Sequence, residues 1–542
     1  MKRIIALVLS LALIAATLLL SACGNKEPQK FNTPEEHFEY VAEKSAKTYL
    51  SSGLQQYNTA IEQFTGKSLS YSLKVELGTD LTSMLSSLVN SMFSSSEDGI
   101  NLTTLKDIEA KVHTSTSGNL ANASLGLLIN GKEIIVAELQ LNSEKKTVAA
   151  KIPVISDEYY TIVEEQDFDK LPELSSFGTV LSELKTELPT DEEITTIVMR
   201  YLGMLLKKAK DGVESEEEYK VGSLTEKARC VTSVFSFKTV SDFAKEALTA
   251  LKDDADVLAI IERNAEEGKK AEAKQEYQKM IDTELQKLNE KTEGTTLSDD
   301  EKLEVKFFTN KNNEILGVRV NVNRTDDTGA AKTASVTAGC LTTKDKYALS
   351  VEVKEGDEVK ATVDSEGAYN NGKISGVINV KVGDATIPVT VKDLDVKAVE
   401  TGKIPTGSIS VSIADILSIV NTSNPGQTDL TTLMILNTLS SYSLVYEYTT
   451  AAELNTITVA IKNESKTFLA ISESAEVKSS TPVTEVTTAK SHDEFLDHMS
   501  KPETMSGIVD KVSTSLKEAG LDEKLVSLLS GLFFSFDPAD ES

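Results

Sequence analysis

The spacing of apolar positions changes several times along this chain, and each change predicts an element. From Thr33, the stretch "TPEEHFEYVAEKSAKTYLSSGLQQYNTAIEQF" carries Phe38, Val41, Tyr49, Leu50, Tyr57, Ile61 and Phe64 at helical spacing. Thr33 as N-cap, Pro34 in the first turn and Glu36 closing a capping box predict a long helix over 33–66. The period then drops to two. "LSYSLKVEL" alternates, and "ANASLGLLINGKEIIVAELQLNSEKKTVAAKIP" reads as a meander whose Asn130-Gly131 pair demands positive φ. Thr190 with Glu193 caps a second helix, and the strand "KARCVTSVFSF" follows. A charged helical region from Asp242 to Lys291, interrupted near Gly268, reads as a solvated excursion.

Between Lys302 and Lys397 the alternation returns in "LEVKFFT", "EILGVRVNVNR", "KYALSVEVK", "KISGVINVKV" and "ATIPVTVK", with turns at Asn371-Gly372 and Gly383-Asp384. "YSLVYEYTT" and "NTITVAIKN" extend it before a final helix through "GIVDKVSTSLKEAGLDEKLVSLLSGLF". Strands of this kind joined by tight turns favour antiparallel pairing with one dry and one wet face. The expected fold is α+β: a large curved antiparallel sheet of half-barrel type, packed with amphipathic helices. The expected partition is a helix over 33–66, a sheet with helices over 67–250, the charged excursion over 251–300, a second β region over 301–500, and a helix and tail over 501–542. "YSLKVEL" at Tyr71, "YALSVEV" at Tyr347 and "YSLVYEY" at Tyr442 echo one another, as a duplication or as shared β composition would.

The N-terminus breaks the pattern. Lys2 and Arg3 precede an apolar run from Ile4 to Leu20, and "Leu-Ser-Ala-Cys" then ends at Cys23. This is the layout of an export signal, and the tetrapeptide resembles the bacterial lipobox. It implies that residues 1–22 are removed, that Cys23 is lipidated, and that 23–32 form a tether at an extracytoplasmic membrane face. Without Lys2 and Arg3 the chain holds 54 basic residues against 84 acidic ones, with no basic cluster, which excludes nucleic acid as a partner. The longest acidic run, "ESEEEY" from Glu214 to Tyr219, reads as a solvated loop. Cys230 and Cys340 are an even pair in an exported chain, open to one disulfide or to two buried thiols.

Catalytic chemistry finds little purchase. Of four histidines, His37 falls in a first helical turn and reads as a surface residue, and His113 lies on a β-like segment. His492 and His498 flank Asp493, Glu494 and Asp497, but six residues on a helix separate the rings by about 120°, so the cluster reads as an exposed helix start. No GxSxG elbow occurs, and "SELK" at Ser182–Lys185 lacks a following KTG box. No cofactor is implied, and an envelope hydrolase is the least favoured reading.

Three helical stretches have clean apolar faces: Leu81, Met84, Leu85, Leu88, Val89, Met92 and Phe93; Asp429–Leu439; and Leu525, Leu528, Leu529, Leu532, Phe533 and Phe536. Each could cover the sheet. The sharper reading makes Leu81, Met84, Leu85, Leu88, Met92, Leu525, Leu529 and Phe533 the lining of a cavity for an acyl chain or other apolar ligand. With the lipobox, the amphipathic strands, and "EYKVGSLTEKARCVTSVFSF" leading into "VSDFAKEALTALKDD", the chain resembles the LolA-type lipoprotein carrier superfamily, which includes mycobacterial glycolipid-carrier lipoproteins, and lipoproteins of gut Firmicutes. The resemblance is architectural, over residues 67–250 and into the C-terminal half, and implies a half-closed sheet enclosing an apolar cavity. The expected function is a membrane-anchored, non-enzymatic lipoprotein that binds lipid or another apolar ligand. The alternative is a cell-surface scaffold that meets other envelope proteins.

Overall fold

The computed structural model of the chain describes residues 31–64, 67–92, 99–117, 119–164, 189–265, 268–292, 301–325, 331–383, 385–400, 405–417, 439–451, 454–463, 466–479 and 483–534. The export signal, Cys23, Ser182–Lys185 and residues 429–438 of the second apolar stretch lie outside them, as do the side chains of Met92 and Phe533.

The chain opens with α1 (Pro34–Phe64), β1 (Lys67–Leu77) and α2 (Thr79–Met92). A meander follows, of β2 (Asp107–Ser117), β3 (Leu120–Ile129), β4 (Lys132–Asn142), β5 (Thr147–Lys151) and β6 (Tyr159–Val163). Next come α3 (Asp191–Leu206), β7 (Lys210–Val221), β8 (Leu224–Ser236), α4 (Phe237–Lys252), α5 (Ala255–Arg263) and α6 (Lys270–Thr292). The central strands are β9 (Lys302–Thr309), β10 (Ile315–Thr325), β11 (Ala331–Thr342), β12 (Lys346–Glu355), β13 (Glu358–Asn370), β14 (Lys373–Val382) and β15 (Ala385–Asp395). After α7 (Val396–Glu400) run β16 (Gly407–Ser412), β17 (Ser443–Ala451), β18 (Leu454–Asn463), β19 (Lys466–Ser479) and β20 (Ala489–Lys490). Helices α8 (His492–Met499), α9 (Pro502–Glu518) and α10 (Glu523–Phe534) close the described chain. The architecture is α+β with open, antiparallel sheet structure. Its strands belong to two compact units that do not follow the sequential partition: one takes residues up to Thr59 and Thr186–Val411, the other Ala60–Lys185 and most of the chain after Asp429.

In the first unit β7 to β16 pair in chain order, each antiparallel to the next. Register places Val231, Phe307, Val318 and Ala338 in one row across β8–β11. That row is buried against Phe38 and Val41 of α1 and Leu206 of α3. The neighbouring row, Cys230, Phe308, Gly317 and Gly339, points to the opposite face. There Tyr219 of β7 stacks on Phe308 with ring centroids 4.3 Å apart, and its hydroxyl donates to the Ala338 carbonyl at 3.3 Å. The ring lies over a trough left by two glycines: a Cβ on Gly317 or Gly339 would meet the Tyr219 Oη at 2.0 or 2.1 Å. The device recurs further along. Tyr347 registers with Gly367 and Gly367 with Gly376, and the Tyr347 hydroxyl bonds to the Ser365 Oγ at 2.7 Å.

One alternative left open is decided here, and two expectations are corrected. Neither Cys230 nor Cys340 is in a disulfide. Cys230 is in register with Gly339, so Cys340, one residue on, faces the other side of the sheet three strands away, and no disulfide can reach. "ESEEEY" is not a loop but part of β7, held to β8, with Glu214 paired to Arg229, Glu216 to Lys227 and Glu217 to Lys306. The charged region is three helices rather than two, because the Asp254 carboxylate caps α5 by accepting from Asp256 N and Val257 N. The same carboxylate accepts from Arg200 at 2.6 Å and Tyr201 at 2.8 Å, and Ala247, Leu258 and Ile281 are buried, so the region is partly packed rather than wholly solvated.

In the second unit the order is β17-β18-β19-β1-β2-β3-β4-β5-β6-β20, antiparallel except for the parallel β6–β20 pair. Ile508, Val512, Leu516, Leu525 and Val526 of α9 and α10, with Leu521 between them, bury themselves against Ile129 and Ile134. The Asn130-Gly131 turn adopts φ of 51° and 75°, as the sequence predicts. Its Asn130 amide donates to the carbonyls of Thr104 and Ala519 and its oxygen accepts from Lys106 N and Asp107 N, tying hairpin, loop and α9 together. Buried Gln140 of β4 likewise clasps the segment before β20, donating to the Thr484 carbonyl and accepting from Val486 N. Tyr71, Tyr347 and Tyr442 have three different surroundings, which favours shared β composition over duplication; the Tyr442 hydroxyl donates to Asp80.

Candidate functional site

The two faces of the second sheet differ sharply, and the difference follows from strand parity. One face is polar: Ser70 meets His113, Thr456 meets Ser474, Thr458 meets Ser472, and Lys74 pairs with Asp107. On the other, register runs Tyr446–Val459–Ile471–Val75–Ile108–Ile129 across six strands. The next row along is Tyr448–Ile457–Glu473–Leu73–Ala110–Leu127–Ile135, and the one after it includes Tyr71, Val112, Leu125 and Ala137.

This apolar face is wet in its middle. Leu73, Leu125, Val459 and Ile471 are 43, 46, 43 and 45% exposed, and Ile108, Leu444 and Tyr446 are exposed with them. Its ends are covered. At one end Ile461 and Leu469 pack with Leu81 of α2 and with Ile413, Leu417 and Leu439. At the other, α8 lays Phe495 over β4–β6 and encloses a cavity of about 210 Å³. Its walls are Ala137, Leu139, Ala150, Ile152, Ile155, Tyr160 and Ile162, with Ser156 at the margin. Ala137 is in register with exposed Leu125, so the open face runs without a break into the cavity. A second, more open cavity of about 580 Å³ lies between β4 and α9, lined by Glu133, Glu138, Asp510, Lys511 and Glu518 among others, too charged for an apolar guest.

One carboxylate, Glu473, stands on the apolar face, flanked in register by Leu73 and Ile457. The Tyr71 phenol lies diagonally beside it in register, and burial together with the Glu473 charge holds that phenol above its ordinary pKa. On the opposite face of β4, Tyr159 donates to Glu138 at 2.6 Å and is pushed up to about 12, chiefly by burial.

The residues singled out as a cavity lining are not brought together. Leu81 belongs to the cluster at the α2 end, while Leu525 and Leu529 belong to the α9–α10 core. Met84 and Leu88 point to solvent because Thr82, not an apolar residue, is the buried position of α2. The sequence signal that would have found the true face is the shared parity of apolar positions on β1, β2, β3, β18 and β19.

The histidines have structural places. His37, expected on the surface, is fully buried. Its Nδ1 lies 2.5 Å from Glu214 and its Nε2 3.1 Å from the Asn313 side chain, with Phe31 stacked on the ring at 4.6 Å. Burial lowers its pKa, since Glu214 already faces Arg229 at 2.7 Å. His492 is exposed at the start of α8, and the His498 Nε2 meets the Ile155 carbonyl at 3.4 Å; among the described residues no group of three or more His, Cys, Asp or Glu could hold a metal ion. No protein family matches the chain, and neither a curated protein nor a solved structure is significantly similar to it.

Proposed function

We propose that the chain is an extracytoplasmic lipoprotein, tethered through Cys23, that binds an amphiphile or other apolar ligand on a half-barrel-like sheet and performs no catalysis. The observation that carries this reading is the exposed apolar face spanning β17 to β3 and leading into the cavity under α8. Contiguous apolar surface of this extent marks a binding surface in soluble proteins. Burying a Leu, Ile or Val side chain gives about 1.5–3 kcal/mol, so covering five half-exposed ones returns roughly half of that each. The sum is on the order of 4–8 kcal/mol before ordering costs, enough for micromolar to millimolar binding. The lipobox supports the tether, because a lipid anchor with two chains gives stable attachment. No helix among the described residues is long and apolar enough to cross a membrane.

The test uses the mature chain made without its lipid (residues 24–542), titrated with the neutral fluorophore diphenylhexatriene and analysed by native mass spectrometry for co-purified lipid. Saturable binding is expected, reduced at least tenfold by Leu73→Glu with Leu125→Glu while circular dichroism stays unchanged. Absence of both fluorophore binding and co-purified lipid overturns the proposal.

A further inference from the structure

We infer that the preferred ligand is an amphiphile with an ammonium headgroup, which Glu473 receives while the tail crosses β1–β3 into the cavity under α8. The inference rests on the binding reading above and names the ligand class.

Glu473 is the one carboxylate among the described residues of the apolar face. Leu73 and Ile457 flank it in register, and Ile471 and Ala475 lie two residues away along β19 on the same face. Among the described residues no lysine or arginine forms an ion pair with it. Its neighbour on the face is the Tyr71 phenol, a neutral group that leaves the carboxylate's charge uncancelled. A sheet face meant only to pack has no use for such a group. An unpaired carboxylate on apolar surface costs desolvation whenever a ligand covers it, and only a cationic head offsets that cost. An anionic head is rejected by the same carboxylate and by the formal net charge of −28 on the chain.

The path for the tail is set by register. Glu473 aligns with Leu73, Leu73 with Ala110, Ala110 with Leu127 and Leu127 with Ile135, and Ala137 follows Ile135 on the same face of β4. From β19 to β4 is four strand spacings, about 19 Å, the reach of a long alkyl chain. The cavity volume of about 210 Å³ exceeds the 150 Å³ or so that holds one benzene ring, so it suits the end of a chain rather than a whole lipid.

Three probes sharing one apolar rod test the headgroup: diphenylhexatriene itself, its trimethylammonium derivative and its propionic acid derivative. The ammonium probe is expected to bind at least tenfold tighter than the carboxylate probe to residues 24–542. Glu473→Gln should shrink that ratio below threefold without weakening the neutral probe, and Glu473→Lys should invert it. Ala137→Phe, which fills the cavity, should weaken hexadecylamine at least fivefold in displacement assays and leave octylamine within twofold. Equal affinity for all three probes, unmoved by Glu473→Gln, overturns the inference and leaves the binding proposal standing. Binding of none of them overturns the binding proposal itself. An unchanged hexadecylamine affinity in a folded Ala137→Phe variant overturns the tail path.

Discussion

The glycine trough beneath Tyr219 makes a demanding prediction. In Gly317→Ala, the new Cβ would stand 2.0 Å from the Tyr219 Oη, 2.5 Å from its Cζ and 2.9 Å from the Ala338 carbonyl oxygen. Gly317 has no positive φ, so an alanine meets no backbone penalty and the whole effect is steric. The ring cannot retreat cheaply, because Phe308 stacks beneath it and its hydroxyl is committed to Ala338. Overpacking of this kind costs about 1–3 kcal/mol, and loss of the hydroxyl bond adds about 0.5–1.5 kcal/mol. A destabilisation of about 2–4 kcal/mol is therefore expected in urea unfolding of the first unit. The decisive comparison is a double-mutant cycle with Tyr219→Ala. Once the ring is gone only the 2.9 Å approach to the Ala338 carbonyl oxygen remains, so Gly317→Ala should cost about 1 kcal/mol or less, giving a coupling energy above about 1 kcal/mol. A cost that is equally large with and without the ring would refute the idea that the glycine exists to admit the tyrosine.

Other expectations follow from single contacts. His37 is held below its ordinary value of 6.5 by burial, so below pH 6.5 the unfolded chain takes up a proton that the folded one resists. Stability should fall as pH drops through that window, by up to about 1.4 kcal/mol per pH unit, and His37→Gln should remove this part of the slope in Tm measurements between pH 7.5 and 5. Asn130→Gly keeps the turn but loses four hydrogen bonds, and should cost about 2–4 kcal/mol in chemical denaturation. Burial raises the Cys230 pKa, so Cys230 should resist alkylation until the chain unfolds, and mild oxidation should give no internal disulfide by mass spectrometry.

What was legible in the sequence was local. Period-two strands, the positive-φ turns at Asn130-Gly131 and Asn371-Gly372, and the Thr190–Glu193 capping box all depend on neighbours within a few residues, and all are present. What was hidden depends on distant partners. His37 reads as a surface residue because nothing in its helix reveals Glu214 or Asn313. Apolar spacing on α2 suggested a lining, yet Leu81 packs with Ile413, Leu417 and Leu439 while Met84 and Leu88 are half exposed. The candidate site was half legible. The alternation of β1 announces an apolar side, but only the pairing of β1 with both β2 and β19 joins those sides into one surface.

That pairing also sets an order of events. Lys67 of β1 faces Ser479 of β19, and between them lies almost the entire first unit. A chain made from its N-terminus presents β1 long before β19 exists, with one edge unsatisfied and the apolar side incomplete. The intervening unit holds all its strand partners within Lys210–Ser412 and is free to fold during the wait. The last strands to emerge therefore finish what the first began, and the interval between them is when the protein is most exposed to foreign edge pairing and to proteolysis.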